Sequence, residues 1–193
     1  VEDLPDYVSR GLVQPFDTEL LASFGELNPF LVEAGQVDGK QYMIPWDWGY
    51  GSLLYRKDRV DEADATGWEL AWNEKYADKI SLWGGASTNF EIAGLLLGFP
   101  NIDDPTLEEI EQAKQKLIDS KSQFRAFTGS DSEKLNLFKG GEIVLADGGR
   151  YNALLLQAEG EPVEWVAPKE GALSWVCGLG ITSDAENIDA AYK

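Results

Sequence analysis

Strand-length apolar runs and helix-length segments alternate along most of this chain. That alternation restricts the fold more than any single motif does. GSLLYRKD (51–58), Ile80–Trp83, FRAF (124–127), EIVLAD (142–147), PVEWVAP (162–168) and SWVCGLGIT (174–182) read as strands. Residues 86–99, 103–121, 131–141 and 150–160 read as helices between them, a further helix starts at 185–193, and 68–83 reads as a short helix running into the strand at Ile80. This order predicts an α/β fold, a sheet with helices on its faces. The clearest helix is DDPTLEEIEQAKQKLIDSK (103–121): Asp104 suits the N-cap, Pro105 the first helical position, and Glu108 and Glu109 the first turn, where the macrodipole favours acids. Leu107, Ile110, Leu117 and Ile118 make its apolar stripe. Ser87 or Thr88 is expected to cap the helix at 86–99 and Gly98 to end it. Upstream, Pro5, Pro15 and Pro29 break residues 1–40 into short pieces, VDGK (37–40) reads as a tight turn, and KQYMIPW as a short strand.

In sheets of this class ligands sit beyond the carboxyl ends of the strands. Gly84–Thr88, Arg125–Thr128 and Asp147–Arg150 are therefore the stretches to watch. In ADGGRY (146–151) an apolar strand delivers an Asp, two glycines and a helix. The glycines allow a ligand close to the backbone, and Asp147 either caps the helix or faces that ligand. The spacing is not a dinucleotide fingerprint, which needs three glycines. Arg125 sits in a half-apolar run and needs a partner, either an internal carboxylate or a ligand carboxylate held bidentately.

Charge and composition remove whole function classes. Of 193 residues, 16 are Lys or Arg and 34 are Asp or Glu, a formal charge of -18 that argues against binding a phosphate backbone. There is no histidine, which excludes a Ser-His-Asp triad, a Cys-His pair and His-based zinc sites; nothing calls for a metal or cofactor. The one cysteine, Cys177, forbids an internal disulfide and lies in an apolar run as inert filler. Apolar residues make up 44%, enough for a packed core, and no run reaches the roughly 20 residues of a membrane helix. The chain opens on VEDLPDYVSRG, with neither an initiator Met nor a signal peptide to report a location.

QYMIPWDWGYGSLLYR (41–56) places five aromatics around Asp47. Such a stretch is either core or one wall of a cation site, since an aromatic face attracts an ammonium by roughly 0.5–2 kcal/mol. Trp46, Trp48 and Trp175 each fall near the end of a strand and are the aromatic ligand candidates; Trp68, Trp72, Trp83 and Trp165 read as packing. Asp47 and Glu91 would be the pair for a glycoside hydrolase, but nothing in the sequence sets their separation.

In sequence order, VSRGLVQPFD, DGKQYMIPWDWGYGSLLYRKD, WELAWNEKYADKISL, LGFPNIDDPTLEEIEQAKQKL, FKGGEIVLADGG and EPVEWVAPKEGALSWVCGLGIT resemble the spermidine/putrescine-type periplasmic solute-binding proteins of ABC importers. The IPxxWG-type segment and the PKEG…W…L-I run carry the most specific likeness. The resemblance implies a periplasmic-binding-protein-like two-lobe fold, each lobe a mixed sheet flanked by helices, with the ligand trapped between lobes. It implies 1–56 in the first lobe, 57–175 in the second and 176–193 returning to the first, with the first lobe incomplete and the chain cut at both ends. It also implies a periplasmic, monomeric, non-enzymatic protein that hands a small molecule to a membrane permease or, in a sensor, to a receptor.

The resemblance carries the aromatic after IP to Trp46 and the aromatic of the PKEG run to Trp175. It implies an acid two positions beyond the latter, where Cys177 stands, and acids at the strand end where GGASTN (84–89) has none. Asp147 is then the acid left. With Arg125 added, the charge-matched ligand has one ammonium and one carboxylate, as in a GABA-like amino acid. Asp147 with the tryptophans would take the ammonium, and Arg125 with Ser87, Thr88 and their helix end the carboxylate. A polyamine is the alternative, and carbohydrate hydrolysis the alternative of another class.

Overall fold

A computed structural model describes residues 3–193. The chain starts with α1 (Leu4–Ser9), β1 (Val13–Gln14), α2 (Pro29–Glu33), β2 (Gln36–Val37) and β3 (Lys40–Gln41). The last two form an antiparallel pair around Asp38 and Gly39, both at positive φ. VDGK is thus a hairpin turn, as an Asp-Gly pair between short strands dictates. β4 (Ile44–Arg56) follows as one strand of 13 residues, where the sequence suggests two shorter ones. Its glycines do not break it, because hydrogen-bonded neighbours flank it: β4 pairs with later strands along its length.

The segment Trp68–Trp72, expected as an α-helix, is a 3-10 turn followed by a second one at Glu74–Tyr76. Tertiary packing overrides local propensity here: the Trp68 side chain is fully buried and its indole N–H donates to the Gly171 carbonyl. Beyond it come β5 (Ile80–Trp83), α3 (Ala86–Leu97), α4 (Leu107–Asp119), β6 (Ala126–Thr128), α5 (Asp131–Lys139), β7 (Leu145–Gly149), α6 (Arg150–Ala158) and β8 (Val163–Trp165). α3 ends at Gly98, φ 74°, as expected, but Gly85 is its N-cap, so Ser87 and Thr88 lie inside its first turn. α4 starts later than the Asp-Pro pair suggests. Thr106 is its N-cap, and Glu109 closes a reciprocal capping box with it. The expected stripe of α4 is largely unused: Leu107, Ile110 and Ile118 are exposed and Leu117 is half-buried, while Ala113 is buried. β9 (Leu173–Leu179), β10 (Ile181–Thr182) and α7 (Ile188–Ala191) complete the chain.

The main sheet runs β6-β5-β7-β4-β8, with β9 also on β4. β5 is parallel to β6 and β7, whereas β4 is antiparallel to β7 and β8, so the sheet is mixed. Alternation across it sorts the core into two layers. Leu53, Tyr55 and Leu145 pack with Trp68, Leu70, Tyr76 and Ile92; Leu54 and Ala146 pack with Phe138, Ala153 and Leu156. Covered on both faces, these strands read as continuous apolar runs.

The chain divides into two compact units. One takes in the chain up to Gly49 together with Ser174–Lys193; the other is Tyr50–Leu173. The changeover falls inside β4, ahead of the division after 56 that the resemblance implies. Burial changes there too: residues 46–48 are exposed, whereas Ser52–Tyr55 are buried.

Candidate functional site

Within Tyr50–Leu173, the parallel strands β5, β6 and β7 each end at a glycine-containing turn that leads into a helix: Gly84–Gly85 before α3, Gly129 before α5, and Gly148–Gly149 before α6. Carboxyl ends of parallel strands therefore meet helix N-termini, whose first N–H groups lack partners inside the helix. Ser130 caps α5 by accepting from the Glu133 N–H, and Asn152 Oδ1 accepts from the Gly149 N–H at 2.9 Å. At α3 no side chain caps the first turn, which carries Ser87 and Thr88. Asn89, buried, instead donates to the Trp83 and Gly85 carbonyls, both at 2.7 Å, and so fixes that turn.

Asp147 lies in β7 opposite Leu53 of β4 and is buried. It does not cap α6, whose N-cap is Gly149, and both its oxygens face groups of the chain itself. Oδ2 accepts from the Trp83 N–H at 3.0 Å, and Oδ1 lies 3.0 Å from Nζ of Lys134. The Lys134 side chain is 2% exposed, and its Nζ stands 5.4 Å from the centroid of the Trp83 ring. The expected ammonium at Asp147 is thus the chain's own. This buried pair was missed from the sequence. The signal was present in DSEKLNLF: Lys134 lies four residues before the fully buried Phe138, on the same face of α5, so a lysine occupies the core stripe.

Arg125 requires a larger correction. It precedes β6, at the amino end of the parallel strands, while Ser87 and Thr88 follow β5 at the carboxyl end. Its side chain is 47% exposed and pairs with Asp78 and Glu142 at 3.7 and 3.6 Å, residues that precede β5 and β7. Arg125 forms a rim ion pair at the amino ends of the parallel strands and cannot share a ligand with Ser87 or Thr88 at their carboxyl ends. A short strand with one arginine in it has no visible direction in sequence, so the end on which the guanidinium lies was not legible.

The other unit holds the aromatic candidates. Trp46, Trp48 and Trp175 are 77%, 55% and 43% exposed, far from core values. Side chains alternate across a strand, so Trp46 and Trp48 share one face of β4 while Asp47 and Gly49 share the other. A Cβ added to Gly49 would lie 2.6 Å from Trp175 Cζ2. The Trp175 indole therefore covers the Asp47–Gly49 face, and the three tryptophans do not form a single wall. Asp47 accepts from the Trp48 N–H at 2.8 Å. Cys177 is exposed rather than buried filler. Glu91 lies within α3 of the second unit.

Comparison with known proteins agrees with this architecture. The family model for bacterial extracellular solute-binding proteins matches residues 1–193. The spermidine/putrescine-binding periplasmic protein of Salmonella typhimurium is 29% identical over 185 residues, covering 95% of this chain and 52% of that protein. The chain thus spans about half the length of the curated relatives it matches. Among solved structures, the TpPotD lipoprotein of Treponema pallidum superposes with a TM-score of 0.84 at 20% identity, over 97% of this chain and 59% of that one. A GABA receptor superposes with a TM-score of 0.78 at 18% identity, over 100% and 57% of the two chains. At such identities these structures speak for the fold alone, which is periplasmic-binding-protein-like. The family is described by solute binding and its curated relative by spermidine and putrescine binding, a binding role rather than a catalytic one. On a match that runs from its first residue to its last, the chain belongs to the bacterial extracellular solute-binding proteins.

Proposed function

We propose that the whole protein captures a polyamine-class cation, putrescine or spermidine, in the periplasm and presents it to an ABC permease. The observation that carries this reading is the exposed tryptophan set of the first unit, on a chain akin to spermidine/putrescine-binding proteins. Exposing that much indole costs solvation free energy, and a desolvated ammonium is what an aromatic face binds best. Within the first unit Trp175 is the proposed aromatic contact on one face of β4, with Trp46 and Trp48 exposed on the reverse face; within the second, taken by itself, Ser87 and Thr88 at the uncapped turn of α3 are the polar candidates.

A GABA-like amino acid is the weaker reading. It needs a cation for its carboxylate and an acid for its ammonium. Arg125, the cation the sequence offers for that carboxylate, is engaged by Asp78 and Glu142 at the amino ends of the parallel strands. Calorimetric titration of the full-length protein with putrescine, spermidine and GABA separates the two. Binding of either polyamine with no heat from GABA is the expected result. Tight GABA binding without polyamine binding would reverse the assignment.

A further inference from the structure

On the first unit's surface, a carboxylate and an indole share one strand face. Trp175 covers Gly49, so its ring lies on the face of β4 that also carries Asp47, one strand repeat away. Residues two apart on a strand are about 7 Å apart, close enough for an ammonium to touch the ring and the carboxylate together. β9 lies beside β4. Gly178 packs on Met43 and the Ile44 carbonyl while Trp175 packs on Gly49, so numbers fall along one strand as they rise along the other. Cys177, two residues past Trp175 and on the same face, then stands across from the Pro45–Asp47 stretch. Both side chains are exposed.

We propose that Asp47 is the ammonium-binding carboxylate of this surface, and that it supplies from β4 the negative charge that Cys177 does not supply from β9. The Trp48 N–H donated to Oδ1 orients the carboxylate without neutralising it. Gly49 belongs to the same device, since any side chain there would push the indole off the face. The aromatic-rich stretch around a single acid thereby acquires a role: Asp47 and Trp175 hold one cationic head of the ligand, while Trp46 and Trp48 project from the reverse face of the strand.

This inference rests on the polyamine reading, and putrescine titration of full-length variants by calorimetry tests both. In the native protein putrescine binds, and Asp47→Asn weakens it by about 10–100-fold, the loss of one charge-assisted contact. Cys177→Asp in the Asp47→Asn background restores most of that affinity, because a carboxylate returns to the same face. No binding of putrescine or spermidine by the native protein would sink the function and this inference together. Native binding left unchanged by Asp47→Asn would sink only the role of Asp47. A loss that Cys177→Asp does not repair would overturn the shared face. Asp47 is exposed, so its variant tests binding without threatening the fold.

Discussion

Substituting Lys134 with Met removes one half of the buried pair and keeps most of the stem's packing. The two side chains are 2% and 8% exposed, with charges 3.0 Å apart. At an effective dielectric of about 20, charges at that separation attract by about 5–6 kcal/mol. Lys134→Met forfeits that attraction and leaves Asp147 with a single strong donor, the Trp83 N–H. Orphaning one member of a buried pair typically costs about 3–5 kcal/mol. The surviving N–H places the expectation at the lower end, about 3 kcal/mol. Domain stabilities are about 5–15 kcal/mol, so the variant should still fold. Urea unfolding followed by tryptophan fluorescence reads the loss as a lower midpoint at unchanged slope. The double variant Lys134→Met/Asp147→Asn orphans neither charge and keeps an acceptor for the Trp83 N–H. It should recover to within about 1–2 kcal/mol of the native protein, a coupling of at least about 1 kcal/mol. A single-variant loss under about 1 kcal/mol, or a double variant as unstable as the two losses summed, would refute the pair as a charge-neutralising core element.

Gly49→Ala builds a methyl 2.6 Å from the Trp175 ring, so the indole must move. A blue- or red-shifted emission with at least a tenfold loss of putrescine affinity is expected, and unaltered emission and affinity would contradict the placement of the ring. The acid limb of stability follows from depressed carboxylates: Asp58 held down by its hydrogen bond from Arg56, Asp64 by those from Tyr76 and Lys75, and Glu109 by the Thr106 N–H and hydroxyl. Groups with a lowered folded pKa add stability above the unfolded value and lose it as pH falls through the folded one. Thermal midpoints should therefore hold from pH 7 to about 5 and fall below about pH 4, where carboxylates protonate. With no histidine to titrate, a steep loss between pH 7 and 5 would go against this account.

Local chemistry made much of this protein legible in its sequence. The α/β alternation, the Asp-Gly hairpin at 37–40 and the glycine that ends α3 follow from residue periodicity and backbone freedom, which act within a few residues, whereas the sequence left the aromatic stretch around Asp47 as either core or surface. Partnership was settled only by tertiary structure. Asp147 and Arg125 look alike in sequence, each a charge beside an apolar run. The fold seals the first against Lys134 of a separate helix and leaves the second at the amino ends of the parallel strands with Asp78 and Glu142. The indole of Trp175 over Gly49 is likewise invisible until β9 lies beside β4. A residue type states what a side chain can bind; strand direction, register and helix docking decide which groups come within 3 Å of it, and those are properties of segments distant in the chain.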